Sequence, residues 1–431
     1  MRPPFFNSSV TLLGNMKLSS TIQTILSRFL MLGLNFGLIV LTTNIWGSEG
    51  RGVIALLLAD LAIVIFATNI FAGSAVSYFS TKFSTTAILK YSYLWSLLAG
   101  MLVPLFLSVF HKIDYLLYLL VLSVLSSLLS ANTNMFIGLR KIKSFNVYTI
   151  LQFALHVLFV LILVFILDLK NIGVYFIAQI AALALLTITS TAQILNNKST
   201  VFDTKLKALP FLMFQYGWKT QLSGFIQFLN NRLSFYFLES IRGLSSVGVF
   251  SVGIAFSEAI WAVSRSLAVV LYSDLVNSTD EVQNIYQTKV SLKLCFLLTI
   301  FFIVLIIMIP DHFYSVVFGK DFSRTREIVC WLAPGILAVA VSNIMGHYFS
   351  AVNKLRILNV KSLLGLVVIV PACLYAIPRW GLQGAAAATT FSYCLSSAVL
   401  IWSFYRITDF KLSDYLITRA DVQLLTSKFR K

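Results

Sequence analysis

Charge is what this sequence lacks most. Of its 431 residues only 11% are Asp, Glu, Lys or Arg, against 58% that are apolar. A soluble domain carries about a quarter charged residues, so this supply cannot cover a water-facing surface of ordinary size. Acids are scarcest, 16 against 33 Lys and Arg. The four cysteines, Cys295, Cys330, Cys373 and Cys394, form no CxxC pair and read as small apolar packing residues. The four histidines are scattered singly, so no metal site is expected. A GxxxxGKS/T phosphate loop is missing, as are a DxD metal motif, a nucleophile set beside a base, and any loop long enough for a catalytic domain. These absences point away from an ATP-driven pump, a glycosyltransferase, a polymerase or any other enzyme.

What is present is a succession of long apolar runs, each matching the roughly 20 residues that cross a hydrocarbon core. They predict an all-α integral membrane protein with about a dozen spans, near 18–46, 53–80, 91–110, 115–138, 146–167, 173–195, 210–238, 246–272, 290–309, 328–352, 357–377 and 382–405. With both termini cytoplasmic, the basic loops fall mainly on the cytoplasmic side, as the positive-inside rule requires. Clusters such as Arg140, Lys141, Lys143 and Lys198, Lys205, Lys207 then read as orientation signals beside anionic lipid rather than a nucleic-acid surface. The N-terminus is not a signal peptide, because the apolar stretch after it is too long and another span follows at once. Met16, followed by Lys17, is an alternative start.

The chain also repeats itself. Gly47 and Gly52-Val53 recur as Gly243 and Gly248-Val249, and Lys141-x-Lys143-x-x-Asn146-Val147 recurs as Lys354-x-Arg356-x-x-Asn359-Val360. The two signals keep their order, and longer connections around 273–289 and 310–327 absorb the difference in their offsets. The expected architecture is therefore two pseudo-symmetric six-helix lobes around a central cavity: residues 1–195, a cytoplasmic linker 196–209, residues 210–405, and a cytoplasmic basic tail 406–431.

Ionisable groups inside spans are the candidates for function, since a charge at mid-membrane is costly unless it faces a protein interior or a wet cavity. In span 1, Thr21, Arg28, Asn35 and Thr42 recur every seven residues, with Thr24 one turn before the arginine. Span 7 is the most polar, holding Lys219, Thr220, Ser223, Gln227, Asn230, Asn231, Arg232 and Ser234. In span 8, Ser251, Glu258 and Arg265 are again seven apart, so Glu258 is placed to moderate Arg265. Candidate substrate ligands are Arg28, Arg265, Arg232, Asn35, Thr24, Gln227, Asn231 and Lys219, with Glu258 and Asp60 balancing charge. The alternative for each arginine is a local carboxylate partner or a lipid headgroup. A cationic chamber without a motor fits a secondary transporter of an anion.

Several segments resemble the polysaccharide-flippase branch of the multidrug/oligosaccharidyl-lipid/polysaccharide (MOP) exporter superfamily, the Wzx-type O-antigen flippases. They are Gly47-Ser48-Glu49-Gly50-Arg51-Gly52, Leu229-Asn230-Asn231-Arg232-Leu233, Val247-Gly248-Val249-Phe250-Ser251, Phe318-Gly319-Lys320-Asp321-Phe322, Leu332-Ala333-Pro334-Gly335 and Gly381-Leu382-Gln383-Gly384-Ala385-Ala386. The family often carries an acid just after the span 7 arginine, where this chain has Ser234. The resemblance implies a MATE-like fold in the bacterial inner membrane. It also implies undecaprenyl-diphosphate-linked oligosaccharide as cargo, moved from the cytoplasmic to the periplasmic leaflet by alternating access, with no cofactor beyond a coupled H+ or Na+. Polysaccharide polymerase and ligase machinery would be its partners. A multidrug exporter of the same superfamily is the alternative reading, and a membrane polysaccharide polymerase or ligase a more distant one.

Overall fold

The computed structural model describes the backbone of residues 8–196, 208–278 and 280–408, and the side chains within those ranges from residue 30 onward, Leu355 excepted. All regular elements among these residues are helical. They are α1 (Ser8–Ala72), α2 (Ser74–Phe79), α3 (Thr85–Phe110), α4 (Leu116–Gly138), α5 (Ile142–Leu161), α6 (Gly173–Leu195), α7 (Leu209–Arg242), α8 (Leu244–Val276), α9 (Glu281–Met308), α10 (Asp311–Phe318), α11 (Thr325–Ala351) and α12 (Leu355–Thr408). Nine helical stretches among the described residues are long and apolar enough to cross a membrane. Two of them, Leu30–Phe79 and Arg356–Thr408, contain breaks, because Gly47 in α1 and Gly381 in α12 have φ of 63° and 57°. α7 is not among the nine, in keeping with its many polar residues.

The chain forms two compact units. One takes the described residues up to Leu41 together with Leu57–Phe225; the other takes Thr42–Leu56 and the described residues from Ile226 onward. In the first unit small and polar side chains glue the helices, as expected where lipid offers no hydrophobic drive between them. Asn132 of α4 is fully buried, donating to Ser190 Oγ at 2.8 Å and Thr191 Oγ1 at 2.9 Å of α6, while its Oδ1 accepts from the Tyr93 hydroxyl of α3 at 2.5 Å. The Ser127 hydroxyl donates to Ser96 at 2.6 Å, and Ser92 donates to the Phe71 carbonyl at 2.9 Å. In the loops, hydrogen bonding and attraction from Asp114 and Asp168 raise the Lys112 and Lys170 ammonium groups above their usual range. Both pairs are exposed and add little stability.

The repeated sequence signals build repeated turns. After α4, Arg140 has φ 60°, its N–H donates to the Ile137 carbonyl at 3.0 Å, and the Lys141 N–H donates to Phe136 at 2.8 Å. After α11, Asn353 has φ 56°, its N–H donates to Ser350 at 3.2 Å, and the Lys354 N–H donates to Phe349 at 2.8 Å. Both are the left-handed helix stop in which the first residues past the helix satisfy its last carbonyls. The other signal is equally concrete. Gly47 and Gly243 both have positive φ, 63° and 81°, and a helical segment resumes immediately after each.

Within the second unit these two glycine turns meet. A Cβ on Gly52 would collide with the carbonyl oxygen of Leu244, and one on Gly248 would collide with that of Ser48. Ser48 and Leu244 hold the same position after their respective glycines, so the contact is reciprocal, as across a local two-fold axis. Such close backbone approach is open only to glycine. Gly52→Ala and Gly248→Ala should each cost about 1–3 kcal/mol through overpacking, read as a lower melting temperature in detergent. Gly37→Ala, where a Cβ meets nothing within 4 Å, should be neutral or stabilising by up to ~1 kcal/mol.

Candidate functional site

A set of buried polar groups beside ionisable residues lies in the second unit, on α7, α8, α11 and α12. Arg232 Nη2 donates to Glu258 Oε1 at 2.5 Å, joining α7 to α8, and its guanidinium carbon stands 5.0 Å from the Phe235 ring centre. The two side chains are 23% and 36% exposed, so the pair is only partly screened. One residue earlier than Asn231, the buried Asn230 has its Oδ1 2.7 Å from the Ser392 hydroxyl, which also lies 2.9 Å from the Gly365 carbonyl. Asn230 Nδ2, the Ser234 hydroxyl and the Tyr393 hydroxyl are buried without a hydrogen-bond partner. Each such orphan costs about 1–3 kcal/mol; those on α7 and α12 make this seam polar, and others lie on α3, α4, α6, α9 and α11.

Tyr393 lies within electrostatic reach of Arg232, Glu258 and Arg265 together. Its ring packs edge-on against Trp261 at 5.5 Å, and Trp261 Nε1 in turn donates to the Ile336 carbonyl at 3.0 Å. Asn343 Nδ2 donates to Ser264 Oγ at 3.0 Å, tying α11 to α8 beside Arg265. Arg265 itself is exposed and forms no ion pair or hydrogen bond among the described residues. One turn before Arg232, Gln227 Nε2 donates to Asn231 Oδ1 at 3.1 Å. The cluster thus has a neutralised pair at its centre and one uncompensated guanidinium beside it.

Glu258 and Arg265 share a face of α8, yet the glutamate is engaged by Arg232 from the neighbouring helix. In the first unit Asp60 is buried and lies 3.1 Å from His111 Nε2, which comes from the end of α3. Lys219 and Asn35 are exposed. The side chains of Thr24 and Arg28 lie outside the described residues, so their part in the site stands as expectation.

The Gly47 turn carries a hydrogen-bonded junction that its repetition does not reveal. There Asp321 Oδ2 accepts from the Ser48 hydroxyl at 2.7 Å and from the Ser48 N–H at 3.3 Å. The Ser48 hydroxyl is also 2.8 Å from that of Ser245. Arg51, buried to 8% exposure, donates through Nε to Ser251 Oγ at 3.1 Å. The one available signal was the Phe318–Phe322 segment, a short turn with an acid and two aromatic anchors.

No protein-family profile and no curated protein matches the sequence. Solved structures do match. The lipid II flippase MurJ in an inward closed conformation aligns with a TM-score of 0.74, over 92% of this chain and 89% of that one, at 15% identity. The MATE multidrug transporter DinF-BH gives 0.65 over 91% and 96% at 16% identity. An inward-facing multidrug resistance MATE family transporter of the MOP superfamily gives 0.67 over 88% and 94% at 12% identity. The chain therefore has the all-helical, multi-pass membrane fold shared by MurJ and the MATE transporters, and its all-helical membrane class is the one its composition predicts.

The Arg232–Glu258 pair can be tested directly. Removing one partner leaves the other charge in a partly dry site, so Arg232→Ala and Glu258→Ala should each destabilise the protein by about 1–3 kcal/mol. The double variant should lose less than the sum, with a coupling of about 1 kcal/mol in a double-mutant cycle read by denaturation in detergent. Additive losses would show that the two side chains do not interact.

Proposed function

We propose that this chain is a flippase, carrying an anionic lipid-linked oligosaccharide of the undecaprenyl-diphosphate type across the bacterial inner membrane by alternating access. The observation that carries the reading is the cluster of Arg232, Glu258 and Arg265 around Tyr393, in a fold like that of a lipid II flippase. An uncompensated guanidinium in a polar seam is suited to hold a phosphate through paired, charge-assisted hydrogen bonds. Glu258 leaves the cluster cationic, because it neutralises one arginine and not both. Cationic drugs would call for the opposite polarity, which is why the multidrug reading ranks second. An inside-negative potential would assist outward movement of an anion by about 2.3 kcal/mol per charge per 100 mV, and a coupled H+ or Na+ would supply the remainder of the cycle. In this proposal Gln227 and Asn231 line the path of the glycan beside Arg265, and both chain termini are cytoplasmic.

The deciding measurement is flipping of a fluorescent polyprenyl-diphosphate oligosaccharide in proteoliposomes, read by protection from a membrane-impermeant quencher. Arg265→Ala should slow flipping at least tenfold with insertion unchanged, and Arg265→Lys should recover part of the rate. Wild-type flipping by Arg265→Ala would remove the phosphate role. Transport of a cationic dye with no glycan flipping would favour the multidrug reading.

A further inference from the structure

A groove separate from that cluster runs along the outside of the first unit, between α5 and α6. Its volume is about 510 Å³. Ser144, Tyr148, Leu151 and Leu155 line it from one face of α5, at successive steps of four, three and four residues. Leu185, Thr189 and Gln193 line it from α6, four apart and running the opposite way. From Ser144 to Leu155 the helix rises about 16 Å. Gln193 Nε2 donates to Ser144 Oγ at 3.4 Å, closing one end with polar groups. Tyr148 is stacked on Phe136 at 5.3 Å, so that wall is fixed.

The groove has opposite chemistry at its two ends. Lys143 lines the polar end and is exposed, and Arg140 and Lys141 stand in the turn that opens α5. None of the three has an ion-pair partner among the described residues. Between Asp114 and Asp203 the sequence holds one acid, Asp168, and it lies beyond the far end of α5. The other end is walled by leucines alone. A narrow apolar trough that opens on uncompensated cations at a helix start has the profile of an amphiphile with an anionic head and a straight hydrocarbon tail.

We infer that this groove is a binding site for an anionic glycerophospholipid of the surrounding membrane. Its phosphate rests against Lys143, with Lys141 and Arg140 nearby, and one acyl chain lies along Leu151, Leu155 and Leu185. The site would hold its lipid whether or not the chain flips a glycan, so it does not depend on the function proposed above.

The test is native mass spectrometry of the full-length protein equilibrated with equal amounts of phosphatidylglycerol and phosphatidylcholine. The protein should retain phosphatidylglycerol in several-fold excess. Lys141→Ala/Lys143→Ala should bring the two lipids to parity. Thr189→Trp, which fills the trough without touching its charge, should reduce retention of both. Lys112→Ala, a lysine of another loop, should keep the wild-type preference, and matched melting temperatures would show that each variant is folded. The site is overturned by equal retention of the two lipids in the wild type, or by a preference that survives both the lysine and the tryptophan variants. Displacement of phosphatidylglycerol, one for one, by a polyprenyl phosphate would also overturn it, by assigning the groove to an isoprenoid tail.

Discussion

A helix that ends or turns back leaves backbone groups without intrahelical partners, and each must be taken up elsewhere. Each break described above is answered by a specific residue. Where α1 bends at Gly47, the Asp321 carboxylate receives the freed Ser48 N–H together with its hydroxyl. Where α12 bends at Gly381, Arg242 Nη2 donates at 2.8 Å to the carbonyl of Pro378, in the last turn before the bend. The stops after α4 and α11 use their own next residues. The reciprocal fit of Gly52 and Gly248 depends on the first of these answers, because the backbone at Ser48 must hold its course for Gly248 to lie against its carbonyl.

Charge inside the second unit follows the same economy. Arg232 and Glu258 offset each other's charge, whereas Arg265 is exposed and has no ion-pair partner among the described residues. On the function proposed above, the pair is a fixed background that sets the local potential, and Arg265 is the group left to meet an anion. Tyr393, buried and lacking a hydrogen-bond partner among the described residues, lies within reach of all three charges.

The parts of this structure that could be read from sequence are those decided locally. Membrane-spanning character follows from composition, and the turns at Gly47, Gly243, Arg140 and Asn353 follow from short repeated strings whose geometry is set within about six residues. The partners of the ionisable groups were not legible in the same way. Heptad spacing put Glu258 beside Arg265, but which way a glutamate swings depends on the packing of α7 against α8. Asp321 and Ser48 are 273 residues apart, and Asp60 meets a histidine 51 residues away; no periodicity joins such pairs. The buried Arg51 stands in the turn between the first two expected spans, outside the spans where ionisable groups were sought.

The division of the chain into units also bears on how it can be made. Thr42–Leu56, near the beginning, belongs with residues from Ile226 onward, while the start of α7 as far as Phe225 belongs with the earlier helices. A ribosome therefore finishes the first unit only after it has translated part of α7, and the stretch Thr42–Leu56, made near the outset, waits for the rest of the second unit. Fragments produced by cutting the gene at the 196–209 connection would each lack a piece that the other carries. Complementation between them in one cell would require trading those pieces, so the two halves of the gene are unlike a pair of separately inherited domains.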